Sequence, residues 1–303
     1  MRYRPFATSG MALSALSLAL DGDQGLSADQ WRDLVHGAFE EGVNAFEIVE
    51  PSPDLLTGFA EAAQAVRRHL LFVGLRIGAN ADAKMLPDWA DNVIATARLE
   101  ELNLVTLEAG DQADGEPLSK PLLAAMRRMQ DAGRVQKLGV AGAGETIAEP
   151  IRSGAFDAVA TPFNILSGWR ERHLIRTAVE RGMSVIGCDP SPGDVGALIE
   201  GADEATKPGW FKQSSPLAGV GTYRFLRLTT GWSPEQLCLG YAFTEPALAT
   251  VQVRVADREH LATLAEVAER DLPAAISAQI EMARFSAERA SGVERRSAMR
   301  RSA

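Results

Sequence analysis

The chain has 303 residues, 46% of them hydrophobic and 23% charged, enough for a sizeable core in one large α/β barrel or two ordinary domains. A formal net charge of −9 argues against nucleic acid as the main partner, because phosphate binding draws on clustered Lys and Arg. Cys188 and Cys238 are the only cysteines and supply no disulfide framework, and no run approaches the roughly 18 apolar residues of a membrane span, so a reducing, cytoplasmic location is expected.

In chain order, the segment YRPFATSGMALS predicts a short hairpin around Ser9-Gly10, placed to plug the bottom of a barrel. The apolar stretch from Met11 to Leu20 is interrupted by Ser14 and Ser17 and runs into acids, which does not suit a secretory signal. Strand-length apolar runs then recur at Leu16–Leu20, Ala45–Val49, Leu71–Leu75, Leu104–Leu107, Leu138–Val140, Ala158–Thr161, Ser184–Cys188 and Ala249–Val253. Helical periodicity separates them, as in Ser27–Glu41 with Ser27 as N-cap, Pro87–Leu102, Lys120–Gly133, Trp169–Gly182 and Ser233–Phe243. Eight strands each followed by a helix predict a parallel (β/α)₈ barrel of the α/β class, spanning residues 1–290 as a single domain. A long Gly-, Pro- and Ser-rich stretch, 189–230, follows the seventh barrel strand, and loops of that length are usually functional or mobile. Pro273–Ala290 predicts one further helix, and the basic residues 291–303 read as a disordered tail.

Local signatures accompany this order of elements: GVNAFE at 42–47, MRRMQDAGRVQKLGV at 126–140, FDAVATPFNIL at 156–166, RGMSVIG at 181–187 and SPEQLCLGYAFTEPALATVQV at 233–253, which leads into DREHLATL. Together they resemble the aldo/keto reductase family over almost the full length. The resemblance implies a nicotinamide dinucleotide held at the C-terminal strand ends without a Rossmann glycine loop, and no G-x-G-x-x-G follows a strand here.

That family uses Asp, Tyr, Lys and His at the ends of its second, third and fourth strands. Matched by motif, those positions hold Glu47, Ser52, Arg76 and Glu108. Hydride transfer to a carbonyl builds negative charge on oxygen, so a site must supply a proton and a hydrogen-bond donor there. A serine hydroxyl is too weak an acid, an arginine does not release its proton, and an ionised Glu108 repels the oxyanion. Tyr3, Tyr223 and Tyr241 are the only tyrosines; Tyr223, in the long loop, is the one expected to reach the mouth. Of the histidines His36, His69, His173 and His260, each falls on a predicted helix or barrel-bottom turn. Glu47 and Arg76 keep the charge signs of the family's Asp and Lys, so they can pair across adjacent strands, either as a retained electrostatic floor or as a plain salt bridge.

The cofactor positions implied by the resemblance are altered too. Ala141-Gly142 stand for a Ser-Asn, Ala160 for a Gln, Cys188 for the Tyr that stacks on nicotinamide, Ala256 for the Arg of the phosphate helix and Leu264 for an Asn. Losing that Arg disfavours a 2′-phosphate, so NAD(H) is expected over NADP(H). Gly142, Asn164, Cys188, Asp189, Pro190, Ser191 and Gly193 remain to offer backbone amides and a turn, with Arg254, Asp257, Arg258 and His260 around the adenosine end; those last four can equally be a solvated helix start. No metal site is expected. Trp210 and Phe211 in the long loop suit a protein interface or a core over the mouth. Arg295, Arg296, Arg300 and Arg301 suit acidic surfaces or plain solvation, and Ser302-Ala303 an exposed proteolysis signal. The combination resembles catalytically degenerate family members that bind NAD(H) without turnover and regulate bacterial cell division, which implies the division GTPase FtsZ and a cell-fate histidine kinase as partners. A working carbonyl reductase with a rebuilt site and a ligand-free scaffold are the rival readings.

Overall fold

The computed structural model describes residues 1–6, 10–110, 118–193, 195–196, 199 and 223–286. Two short strands, β1 (Tyr3–Pro5) and β2 (Ala12–Ser14), pair antiparallel as the expected hairpin. Eight parallel strands then close a barrel: β3 (Leu16–Asp21), β4 (Ala45–Glu50), β5 (Phe72–Ile77), β6 (Leu102–Glu108), β7 (Val135–Ala141), β8 (Ala158–Pro162), β9 (Ser184–Cys188) and β10 (Leu248–Val253). The ring closes where β10 pairs with β3, Val251 opposite Leu16. Around it lie α1 (Ala28–Glu40), α2 (Pro53–Ala63), α3 (Leu86–Thr96), α4 (Lys120–Asp131), α5 (Glu145–Ser153), α6 (Trp169–Glu180), the single turn α7 (Phe225–Leu228), α8 (Pro234–Phe243) and α9 (Arg258–Ala265). A last helix, α10, covers 274–286; the rest of the predicted Pro273–Ala290 helix and the 291–303 tail lie outside the described residues, as do Trp210 and Phe211.

The sequence writes these elements locally. The Ser27 hydroxyl accepts from the Gln30 amide, and the Gln30 side chain accepts from the Ser27 amide, a capping box that starts α1. Trp31, Leu34, Val35 and Ala38 then share the face turned to the barrel, at the spacing of one helical stripe. Gly58 on α2 lets the two helices meet, because a Cβ there would stand 2.3 Å from the Ala28 carbonyl oxygen. Successive strand residues alternate between helix-facing and axis-facing positions. Leu16, Leu18 and Leu20 of β3 pack under the helices, while Ala45, Phe72 and Leu104 face the axis with Phe6 and Leu13 of the hairpin. Phe6 meets Phe72 at 4.7 Å between ring centroids, so the hairpin seals the N-terminal end.

One boundary differs from expectation. The helix predicted over Pro87–Leu102 ends at Thr96, because Arg98 turns left-handed (φ 53) and the Leu99 amide donates back to the Ile94 carbonyl. Leu102 belongs instead to β6, paired with Val135.

Candidate functional site at the barrel mouth

Four axis-facing side chains near the C-terminal strand ends form one network. Arg76 on β5 donates through Nη2 to Glu47 Oε2 on β4 at 2.5 Å and to Gln252 Oε1 on β10 at 3.3 Å. Gln252 Nε2 donates to the same Glu47 oxygen at 2.9 Å, and the Cys188 thiol on β9 donates to Gln252 Oε1 at 3.6 Å. The Glu47 and Arg76 side chains are only 5% and 12% exposed. Burial opposes the charge on Arg76, but the adjacent Glu47 carboxylate outweighs it and holds the guanidinium above the ordinary arginine range. Burial pushes the Cys188 thiol up to about 11, with Glu47 and Asp189 adding to the rise and Arg76 opposing it. The expected pairing of Glu47 with Arg76 is present, with Glu47 Oε1 and Arg76 Nε buried without a hydrogen-bond partner.

Two cavities open above this floor and share Arg76. The larger, about 570 Å³, lies against the β5–α3 connection and is lined by Glu50, Arg76, Asp82, Met85, Trp89 and Glu108, among others. Its wall is largely apolar, and its charged groups are the carboxylates of Glu50, Asp82 and Glu108 and the paired Arg76. Partial burial, followed by the charges of Asp23, Asp21 and Glu108, raises the Glu50 carboxyl above its usual range. The smaller, about 220 Å³, runs between β9, β10 and the start of α8 and takes in Cys188, Asp189, Pro190, Ser191, Glu235, Gln252 and Arg254. No Tyr, Lys or His is among the described residues lining either cavity. Among the described residues, no group of three or more His, Cys, Asp or Glu is placed to hold a metal ion.

The remaining predicted residues take identifiable places. Ser52 is the N-cap of α2, its hydroxyl accepting from the Leu55 amide at 3.2 Å, with Pro53 opening the helix. Glu108 ends β6 with an exposed side chain. Tyr223 does not reach the mouth cavities: it is 6% exposed, packed in the core beside Phe225, because the chain turns into α7 there. Tyr3 donates to the Gly42 carbonyl at the hairpin, and Tyr241 donates to Glu281 on α10. His36 sits edge-on to Phe39 on α1, His69 lies in the 3-10 turn Arg68–Leu70, and His173 stacks on Trp169 along α6.

At the nucleotide-side positions, Gly142 is a packing residue, since a Cβ there would come within 2.8 Å of Ile147. Asn164 donates through Nδ2 to the Asp189 carbonyl at 3.1 Å, tying the exits of β8 and β9 together. Asp189 adopts a left-handed conformation (φ 47), and Pro190, Ser191 and Gly193 continue from it along the rim. Asp257 caps α9 by accepting from the His260 amide at 2.8 Å. Arg254 pairs with Asp21, Arg258 with Glu40 at the end of α1, and His260 with Glu235, so each is already partnered, and of the four residues Arg254 alone is in the wall of a mouth cavity. Sequence reasoning missed Gln252 and Glu235. The available signal for Gln252 was an isolated amide in the apolar strand LATVQV, two residues after Thr250 and therefore on the same face.

The aldo/keto reductase family model matches residues 17–284. Among solved structures, the aldo-keto reductase AKR11C1 from Bacillus halodurans superposes in its holo form with a TM-score of 0.70 at 16% identity, covering 93% of this chain and 95% of that one. Its apo form gives 0.68 at the same identity and coverage. No curated protein sequence matches the chain. At such low identity the structural likeness speaks for the fold alone, whereas the family match spans most of the sequence, so the chain belongs to the aldo/keto reductase family.

Proposed function

We propose that this chain is a non-catalytic, NAD(H)-binding regulator built on the aldo/keto reductase barrel. One observation carries the reading: at the mouth, Arg76 is locked between Glu47 and Gln252, and the described cavity walls contain no Tyr, Lys or His to give a proton to a carbonyl oxygen. Glu50 and Glu108 line the larger cavity, and ionised carboxylates there oppose the growth of negative charge on a carbonyl oxygen. Losing the general acid costs roughly 10²–10⁴ in rate and losing an oxyanion donor roughly 10²–10³, although the two do not simply multiply.

Members of this family generally bind NAD(P)H, which supplies hydride chemistry when bound. The residues here fit its diphosphate and adenosine portion: a cleft of about 220 Å³ beside the backbone of 188–191, with Arg254 on its wall and Arg258 and His260 beyond. Arg254 and Arg258 would hold phosphate or ribose oxygens, and Asp189 and Ser191 would orient the chain at the β9 exit. Ala256 offers no charge for a 2′-phosphate, which supports NAD(H) over NADP(H). Beside Cys188 the cleft is lined by Arg76 and Gln252, both held in the floor network, which suits holding a nicotinamide ring better than using it.

The regulatory part of the proposal rests on resemblance to KidO, the oxidoreductase homologue that restrains FtsZ and contacts a cell-fate histidine kinase. The test has two arms. Purified protein is expected to bind NADH in a calorimetric titration yet to leave NADH and NADPH unconsumed across a panel of aldehydes and ketones, and NADH is expected to change its effect on FtsZ polymer sedimentation. Turnover at ordinary enzyme rates would overturn the non-catalytic reading. One observation favours a rebuilt reductase as the second reading: Glu50, raised above the usual carboxylate range beside the larger cavity, is a candidate acid. Turnover abolished by Glu50→Gln would establish it.

A further inference from the structure

One cation, Arg254, stands in the wall of the smaller cleft, and two more, Arg258 and His260, follow at the start of α9; each is held by a carboxylate from a different element. Arg254 Nη1 lies 3.0 Å from Asp21 Oδ2 at the end of β3. Arg258 pairs with Glu40 at the end of α1. His260 Nε2 lies 3.0 Å from Glu235 Oε2 in the first turn of α8, a pair that is ionic when the ring is protonated. Glu235 and Arg254 are both in the cleft wall, with Asp189. The cations are not sealed away: Arg254, Arg258 and His260 side chains are 53%, 56% and 37% exposed. The Arg258 and His260 pairs, open at both partners, are weak, and Arg254 faces solvent although its partner Asp21 is only 15% exposed.

We infer that Glu235 and Asp21 are affinity-setting residues of this cleft, internal anions that occupy the cations a dinucleotide's phosphates engage. Binding is then an exchange. The diphosphate displaces Asp21 from Arg254 and Glu235 from His260, and the displaced carboxylates stay nearby and repel the ligand. This rests on the NAD(H)-binding reading and adds to it an intramolecular brake, which keeps affinity below what the same cations would give alone.

The test is a titration at low ionic strength with NADH and, separately, with ADP-ribose, which keeps the diphosphate but lacks nicotinamide. Removing one carboxylate about 4 Å from a ligand charge is worth about a fivefold change in affinity in a watery site. Glu235→Gln and Asp21→Asn are each expected to tighten both ligands about fivefold, whereas Glu149→Gln, an equal charge change on exposed α5, leaves them unaltered. Arg254→Gln is expected to weaken both. Melting curves check that each variant is folded, and the exposed Glu235 serves if Asp21→Asn is not. Wild-type binding that is unchanged or weakened in Glu235→Gln and Asp21→Asn overturns the brake but leaves the NAD(H) reading standing. Absence of binding at millimolar ligand in the wild type and in the Glu235→Gln/Asp21→Asn double variant overturns both. Binding that appears only in the double variant supports the brake in its strongest form.

Discussion

Arg76 belongs to both mouth cavities, yet its charge is spent inside the floor on Glu47. A pair this buried owes its survival to mutual compensation, because each ion has lost most of its water. Glu47→Gln leaves the guanidinium with an amide partner only, and the expected cost is about 3–5 kcal/mol. The urea midpoint measures it. The double variant Glu47→Gln/Arg76→Met removes both charges and is expected to recover most of the loss, an outcome that a purely steric role for Glu47 would not give. The pair itself was legible in the sequence, since two opposite charges ending adjacent strands have few other places to go. Gln252 was not, because a single amide carries no periodicity and its partners come from strands 176 and 205 positions away. Ser52 was legible only as a substitution; the Pro53 beside it already signals the helix cap that its hydroxyl provides.

Among elements, the strands were readable because barrel strands buried on both sides are short apolar runs. The end of α3 was not, because Ala97, Leu99 and Leu102 extend an apolar pattern across a chain reversal that Arg98 makes without a glycine. The least legible contact lies at the C-terminal helix. Arg172 of α6 rests 5.5 Å over the Phe163 ring and 5.9 Å over Tyr241, and reaches Glu281 of α10 at 3.0 Å. Glu281 also accepts from Tyr241 at 2.7 Å and pairs with Arg284, which donates to the Ser167 carbonyl at 2.6 Å. Ser167 in turn accepts through Oγ from the Asn164 amide, so α10 is joined to the turn beside the β9 exit. Glu281→Gln removes the shared anion of this clasp. Faster amide exchange is expected in 274–286 and 164–168, with strands β4 to β7 unchanged; uniform exchange behaviour would show that the clasp holds nothing in place.

For the whole molecule, the order of the barrel followed from repetition: eight alternations of two periodicities admit few other closed solutions. What no periodicity reveals is how the closed fold treats its ionisable groups, and three of them respond alike. Burial raises the Cys188 thiol to about 11 against the opposing charge of Arg76, with Glu47 and Asp189 adding to the rise. Burial, then Glu235, raises Cys238 to about 12. Burial, then the hydrogen bond to Glu281, raises Tyr241 to about 12. In each case the folded state prefers the neutral form, so the unfolded chain releases its proton first. The stabilisation is complete below about pH 9, the ordinary thiol range, and is lost as pH rises toward 11 and 12. Urea midpoints are therefore expected to hold between pH 7 and 8.5 and fall steeply between 9 and 11, with the denaturant slope unchanged. Net negative charge also grows in alkali and adds a general repulsion, so the decisive sample is Cys238→Ala. It is expected to be less stable at pH 8, where it leaves a small void in α8, but to lose less between pH 9 and 11 than the parent. An identical alkaline slope in the two proteins would assign the loss to general repulsion and remove the buried thiol from the account.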